Sequence, residues 1–158
     1  MMNEKKERNY RLALPFTYLW IGFVCAISFM EAWIKFRAPG VTLPIGLGIG
    51  SLVFSALNKM EWLFALLIAL DISLISRYRS RKAFFLFSTA LLLLVIQTIW
   101  LLPALDARID LYRKGMEVPE SPLHFMYIGA EVLKVASLIL LGIHLIKLTE
   151  FRTITYKN

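Results

Sequence analysis

The sequence predicts an all-α integral membrane protein: a four-helix bundle running up-down-up-down, with both termini on the cytoplasmic side. Three observations predict it. Of the 158 residues, 58% are hydrophobic and 18% charged, and the mean hydropathy is +0.64, more apolar than ordinary soluble domains. Several apolar runs reach the roughly 20 residues that a hydrocarbon core about 30 Å thick asks of a spanning helix. The basic residues are also gathered. Lys5, Lys6, Arg8 and Arg11 precede the first run, Arg77, Arg79, Arg81 and Lys82 form the loop RYRSRK, and Lys147, Arg152 and Lys157 follow the last run. With four spans, all of these fall on one side, which is the positive-inside pattern.

Each span has its own justification. The first, Leu12 to Phe36, is longer than the apolar region of a secretory signal, about 7 to 15 residues, and leads into WIKFRAPG rather than a small-residue cleavage site. It reads as a retained helix, with Pro15 tolerated in its first turn. The second is expected over Leu52 to Ser76, the third over Ala83 to Leu102, and the fourth over Leu123 to Leu148. Together they make a single membrane domain, residues 1–158.

The outer connections are 37–51 and 103–122. The first is rich in Gly and Pro and nearly uncharged after Arg37. It fits a flexible linker, or a segment that hugs or re-enters the membrane where protein or water satisfies its backbone. Gly46 and Gly50 have the G-x-x-x-G spacing that permits close helix contact. In the second connection Pro103 is a natural stop, although Ala104 to Lys114 can extend the third span as a helix until Gly115 breaks it.

The net charge of +7 is thus topological, and no nucleic-acid partner is expected. Cys25 is the only cysteine; this excludes an intrachain disulfide and any multi-cysteine zinc or iron-sulfur site. Among Phe and Val it reads as packing.

The polar residues inside the spans carry the functional information. On a helix His124, Tyr127, Glu131 and Lys134 fall within an arc of about 80°. Glu31 and Lys35, four apart, are set for an intrahelical ion pair, with Trp20 on the same side. Asn58 and Glu61 share a face of the second span, Lys59 points nearly opposite, and the third span brings Gln97 and Trp100. At about 1.5 Å per residue, Glu31 lies about 8 Å, Gln97 about 9 Å, Glu131 about 12 Å and Glu61 about 14 Å below the outer ends. An ionised group facing lipid at a helix centre costs about 2.5–3.5 kcal/mol, so these groups should turn inward and pair. Glu31, Glu61 and Glu131 against Lys35, Lys59 and Lys134 make a formally neutral set.

Such a cluster suits either an ion-pair network that fixes helix register or a ligand, ion or proton site. No H-x-x-x-H or E-x-x-H spacing points to a metal. His124 and His144 lie about 30 Å apart along one helix, too far to grip one haem iron. Acid–base chemistry on a lipid or quinone is open to Glu131 with His124 or Lys134, whereas a G-x-S-x-G hydrolase motif is missing. Asp71, near the inner end of the second span, is expected to meet Arg77 or Arg79.

The arrangement WLLPALDAR, Trp100 to Arg108, followed by a polar connection and LHFMYIGAE, resembles the transmembrane protein 205 family and its bacterial relatives. SFMEAWIKFRAPG resembles that family's first span and its exit. The resemblance implies a four-helix membrane protein with Trp100, Pro103 and His124 as matching positions. The eukaryotic member's association with platinum-drug resistance implies metal or small-molecule export. This chain departs in carrying Glu131 and Lys134 after the histidine and a short connection before it. LNKMEWLFALLIAL is similar to the quinone-linked, four-span DoxX-like proteins.

These observations lead to a multi-pass cytoplasmic-membrane protein, in contact with the lipid bilayer, whose outward-facing polar pocket binds or passes a small polar ligand or cation. Glu31, Glu61 and Glu131 supply negative charge, Lys35 and Lys134 tune it, His124 guards the mouth, and Asn58, Gln97, Trp100 and Tyr127 complete the lining. With four spans, a transport path calls for a homo-oligomer. A membrane-embedded redox or lipid/quinone-modifying enzyme and a non-catalytic assembly partner are the alternatives; no cofactor is assigned.

Overall fold

A computed structural model of the chain describes residues 12–75 and 80–155. The basic residues before Leu12, together with Arg77, Arg79 and Lys157, lie outside the described residues, as does the side chain of Arg152. Among the described residues helix is the only regular secondary structure, and four helices are long and apolar enough to cross a membrane. This is the architecture of a multi-pass membrane protein. The helices are α1 (Ala13–Arg37), α2 (Leu43–Ser73) and α3 (Arg81–Arg113), and α4 (Leu123–Thr155).

Two helices are longer than the apolar runs suggest at the end of the bundle that holds Leu43 and Arg113, expected to face out and called the outer end below. The chain is already helical at Leu43, with Pro44 in the first turn where its missing N–H costs nothing. Most of the expected 37–51 connection is therefore helix, and only residues 38–42 turn the chain, helped by the left-handed Gly40 at φ +82°. In the same way α3 runs through Pro103 to Arg113 and ends at Gly115, φ +70°. The helix survives Pro103 because a π-helical turn, Gln97–Leu101, comes directly before it. Its wider i→i+5 bonding makes room for a ring that an α turn would clash with. Two further π-helical stretches interrupt α1 at Cys25–Glu31 and close α2 from Asp71.

The helices form an antiparallel ring: α1 packs on α2 and α4, while α3 packs on α4 and α2. The main core of the bundle is apolar, with Trp20 and Val24 of α1, Leu57 and Ile68 of α2, Ala90 and Leu94 of α3, and Leu138 and Leu141 of α4 fully enclosed. In lipid this packing rests on close contact rather than on expulsion of water. Gly142, for instance, lets the ring of Tyr18 approach to within 2.9 Å of where a Cβ would stand.

Polar ties fasten the inner end. Asp71 accepts from the backbone N–H groups of Leu12 at 3.2 Å and Ala13 at 2.7 Å. It thus serves as a capping carboxylate for the start of α1, where the helix dipole favours negative charge. Its expected partners Arg77 and Arg79 are outside the described residues. Ser80 caps α3 through Ala83 N–H at 3.2 Å and meets His144 of α4 at 2.7 Å. Ser137 donates to the Leu86 carbonyl at 2.9 Å. The outward faces carry Leu52, Phe84, Phe85, Ile99 and Phe125, each more than 60% exposed, as suits a surface turned to acyl chains.

Candidate functional site

Midway along the bundle, five side chains from the four helices, two of them from α4, meet in a closed polar cluster. Lys134 of α4 is fully buried, and its ammonium touches the Glu61 carboxylate of α2. It donates to Gln97 Oε1 of α3 at 2.6 Å and stands 3.2 Å from Glu131 Oε2, one turn away on its own helix. Gln97 uses its other end as well, donating from Nε2 to Glu131 Oε1 at 3.1 Å. From α1 the Trp20 indole N–H donates to Glu61 Oε1 at 2.8 Å. A carboxylate or ammonium alone at this depth would be expensive. The cluster is sustained because each charge is within reach of an opposite one and amide or indole dipoles complete the shell.

Local structure explains the convergence. Glu131 and Lys134 share a face by i,i+3 spacing. Gln97 opens the π-helical turn of α3, and π turns redirect side chains in ways that α-helical spacing does not foresee. Tyr127, one turn outward from Glu131, is 3% exposed and lies edge-on to Phe54 with ring centroids 5.3 Å apart.

Outward of this aromatic layer the helices part around a cavity of about 880 Å³. Its walls are mostly apolar, among them Phe36, Leu47, Phe54, Leu105 and Ile109. Its polar groups are Lys35 from α1, Ser51 from α2, Asp106, Arg108 and Tyr112 from α3, and Glu120, Ser121 and His124 around the start of α4. Lys35 binds Glu31 at 3.2 Å, with its side chain only 9% exposed, and its ammonium lies 5.3 Å from the Phe54 ring centre. Ser51 donates to Asp106 at 2.6 Å. Gly50 gives Lys35 its place: a Cβ there would stand 2.8 Å from Nζ. The G-x-x-x-G spacing of Gly46 and Gly50 thus permits close approach, between the start of α2 and the end of α1.

The sequence-derived residues therefore fall into four groups. Glu61, Gln97, Glu131 and Lys134 form the closed cluster, with Tyr127 above it. Lys35 and His124 line the outer cavity, Glu31 being held beside it by Lys35. Asn58 belongs to a side network with Thr98, at 2.9 Å, which also takes the Trp62 N–H at 3.0 Å. Trp100, 52% exposed, turns outward. The expected three-for-three charge balance does not form: Lys59 is exposed, and Glu31 pairs with Lys35 in a separate site. The closed cluster holds two carboxylates for one ammonium.

Sequence reasoning missed the outer half of the cavity, Ser51, Asp106 and Arg108, because it ended the helices too early. The signal was present in the helix-compatible run from Ala104 to Lys114. Trp20 was expected farther down the side of the span that carries Glu31; the π-helical stretch Cys25–Glu31 lies between the two, and Trp20 faces Glu61.

Among the described residues no group of three or more His, Cys, Asp or Glu is placed to hold a metal ion. Comparison with protein-family models, curated proteins and solved structures finds no match for this chain.

Proposed function

We propose that this protein binds or passes a small polar ligand or cation through the cavity at the outer end of its bundle, with the charged cluster beneath as the electrostatic partner. The carrying observation is the stacking of the two features: a roomy cavity with groups from all four helices, separated by the Phe54–Tyr127 layer from a buried cluster with more negative than positive groups. Cavities of this size take small molecules. Intramembrane ionisable groups default to ligand, ion or proton pathways.

The positive-inside pattern supports an orientation with both termini in the cytoplasm of a cell membrane and the cavity facing out. Passage across four spans calls for a homo-oligomer, and the broad apolar outer faces offer surface for one as well as for lipid. Kinship with the transmembrane protein 205-like proteins is part of this proposal and rests on Trp100, Pro103 and His124.

A second reading has its own support. The apolar walls of the cavity, with His124 at the lip, suit the tail and head of a lipid or quinone, as an enzyme acting on such molecules or a DoxX-like protein would require. One experiment addresses both. The purified protein is challenged with alkali and divalent cations, small amines, short carboxylates and a soluble quinone, and its unfolding midpoint is followed. Occupancy at 100 times Kd adds about 2.7 kcal/mol. A response abolished by Leu47→Trp, which fills the cavity, supports cavity binding and its ligand class chooses between the readings. No response across the panel, or an equal response in the filled variant, overturns both.

A further inference from the structure

We infer that the closed cluster of Glu61, Glu131 and Lys134 is a proton-binding site, holding one proton on its two carboxylates at neutral pH. The inference rests on the cluster's own geometry and stands whether or not the outer cavity takes a ligand.

The argument begins with charge. Both carboxylates and the ammonium are 0–1% exposed. Ionised together they leave one unbalanced negative charge in a place with little water to screen it. Among the described residues, the groups facing the cluster supply no second cation: Trp20 and Ser28 come from α1, Gln97 from α3 and Tyr127 from α4. Lys35 is engaged with Glu31, and Lys59 faces outward.

The charge must therefore come from something small. The ammonium of Lys134 already occupies the point between Glu61, Glu131 and Gln97 where a metal ion would sit. None of these four residues lines the outer cavity. A proton needs no such room.

Hydrogen bonding gives a second, independent indication. Glu131 Oε2 is buried without a hydrogen-bond partner; Lys134 Nζ lies 3.2 Å away but outside hydrogen-bond geometry. An open carboxylate oxygen beside a surplus negative charge is where an added proton can sit. A proton on Glu131 Oε2 makes that oxygen the donor, while Oε1 still accepts from Gln97. The balance is simple: hydronium from the solvent gives one proton to one carboxylate and leaves as water, and the cluster's charge goes from minus one to zero. Both carboxylates reach the same Lys134 ammonium, so the proton belongs to the cluster rather than to one side chain. Its exchange with the cavity crosses one aromatic layer, Tyr127 against Phe54.

The test is infrared spectroscopy of the full-length protein in lipid nanodiscs at neutral pH, with 13C-carboxyl-labelled glutamate separating these groups from Asp71. The wild type is expected to show one protonated glutamic acid carbonyl per chain. Glu61→Gln and Glu131→Gln should each show none, since one carboxylate then matches one ammonium, and Lys134→Met should show two. Absence of the signal in the wild type overturns the proposal, as does its persistence in both glutamine variants or a count in Lys134→Met no higher than wild type. Where one variant does not fold, the wild-type count and the remaining variants decide. Failure of ligand-dependent stabilisation leaves these counts untouched, so the two proposals fail separately.

Discussion

The indole N–H of Trp20 and the carboxylate of Glu61, 41 positions apart in the chain, meet at 2.8 Å in a fully buried hydrogen bond. It joins α1 to α2 and orients the carboxylate that Lys134 approaches from α4. Trp20→Phe keeps most of the ring's packing and removes only the donor. The expected loss is about 1.5–3 kcal/mol, the worth of a hydrogen bond to a charged group. Reversible unfolding in mixed micelles measures it, and a cycle with Glu61→Gln should show coupling between the two sites.

Lys134→Met removes the only cation of the closed cluster. Breaking a buried ion pair from one side typically costs about 3–5 kcal/mol, because the carboxylates left behind must stay uncompensated or take up protons. Equilibrium unfolding should show a loss in that range. Lys134→Met combined with Glu61→Gln and Glu131→Gln should recover much of it.

Asp71→Ala takes away the carboxylate that accepts the Leu12 and Ala13 N–H groups. Losing a helix cap costs about 0.5–2 kcal/mol. Hydrogen exchange should accelerate at the start of α1 while the outer end of the bundle stays protected.

Gly46→Ala would put a Cβ 2.1 Å from the Phe36 ring. The ring must swing away from the start of α2, and overpacking of this kind costs about 1–3 kcal/mol. Phe36→Ala in the same chain should relieve the added methyl, so the double variant is expected to be more stable than the sum of the single effects predicts.

Trp100→Phe tests the opposite expectation. The side chain is 52% exposed and faces away from both cluster and cavity, so stability should change by no more than about 0.5 kcal/mol. A larger loss would mean that the outward face of α3 is packed against another chain.

Four spans, their antiparallel order and the inward turn of Glu61, Gln97, Glu131 and Lys134 were legible in the sequence, because a bilayer imposes length, apolarity and pairing of charge on any chain that crosses it. Residue spacing alone also placed Glu131 and Lys134 on one face and set Glu31 beside Lys35. Only the tertiary structure decided which groups share a site. π-helical turns at Cys25–Glu31 and Gln97–Leu101 shift the helical phase by amounts that a 3.6-residue period cannot express. Trp20 therefore meets Glu61, a pairing that spacing within one helix does not give, and α3 continues past Pro103. Composition likewise counts charges but does not say which are enclosed together: three lysines match three glutamates along the spans, yet Lys59 faces outward and Lys35 stays with Glu31. The unequal pairing at Lys134 is a consequence of how four helices pack.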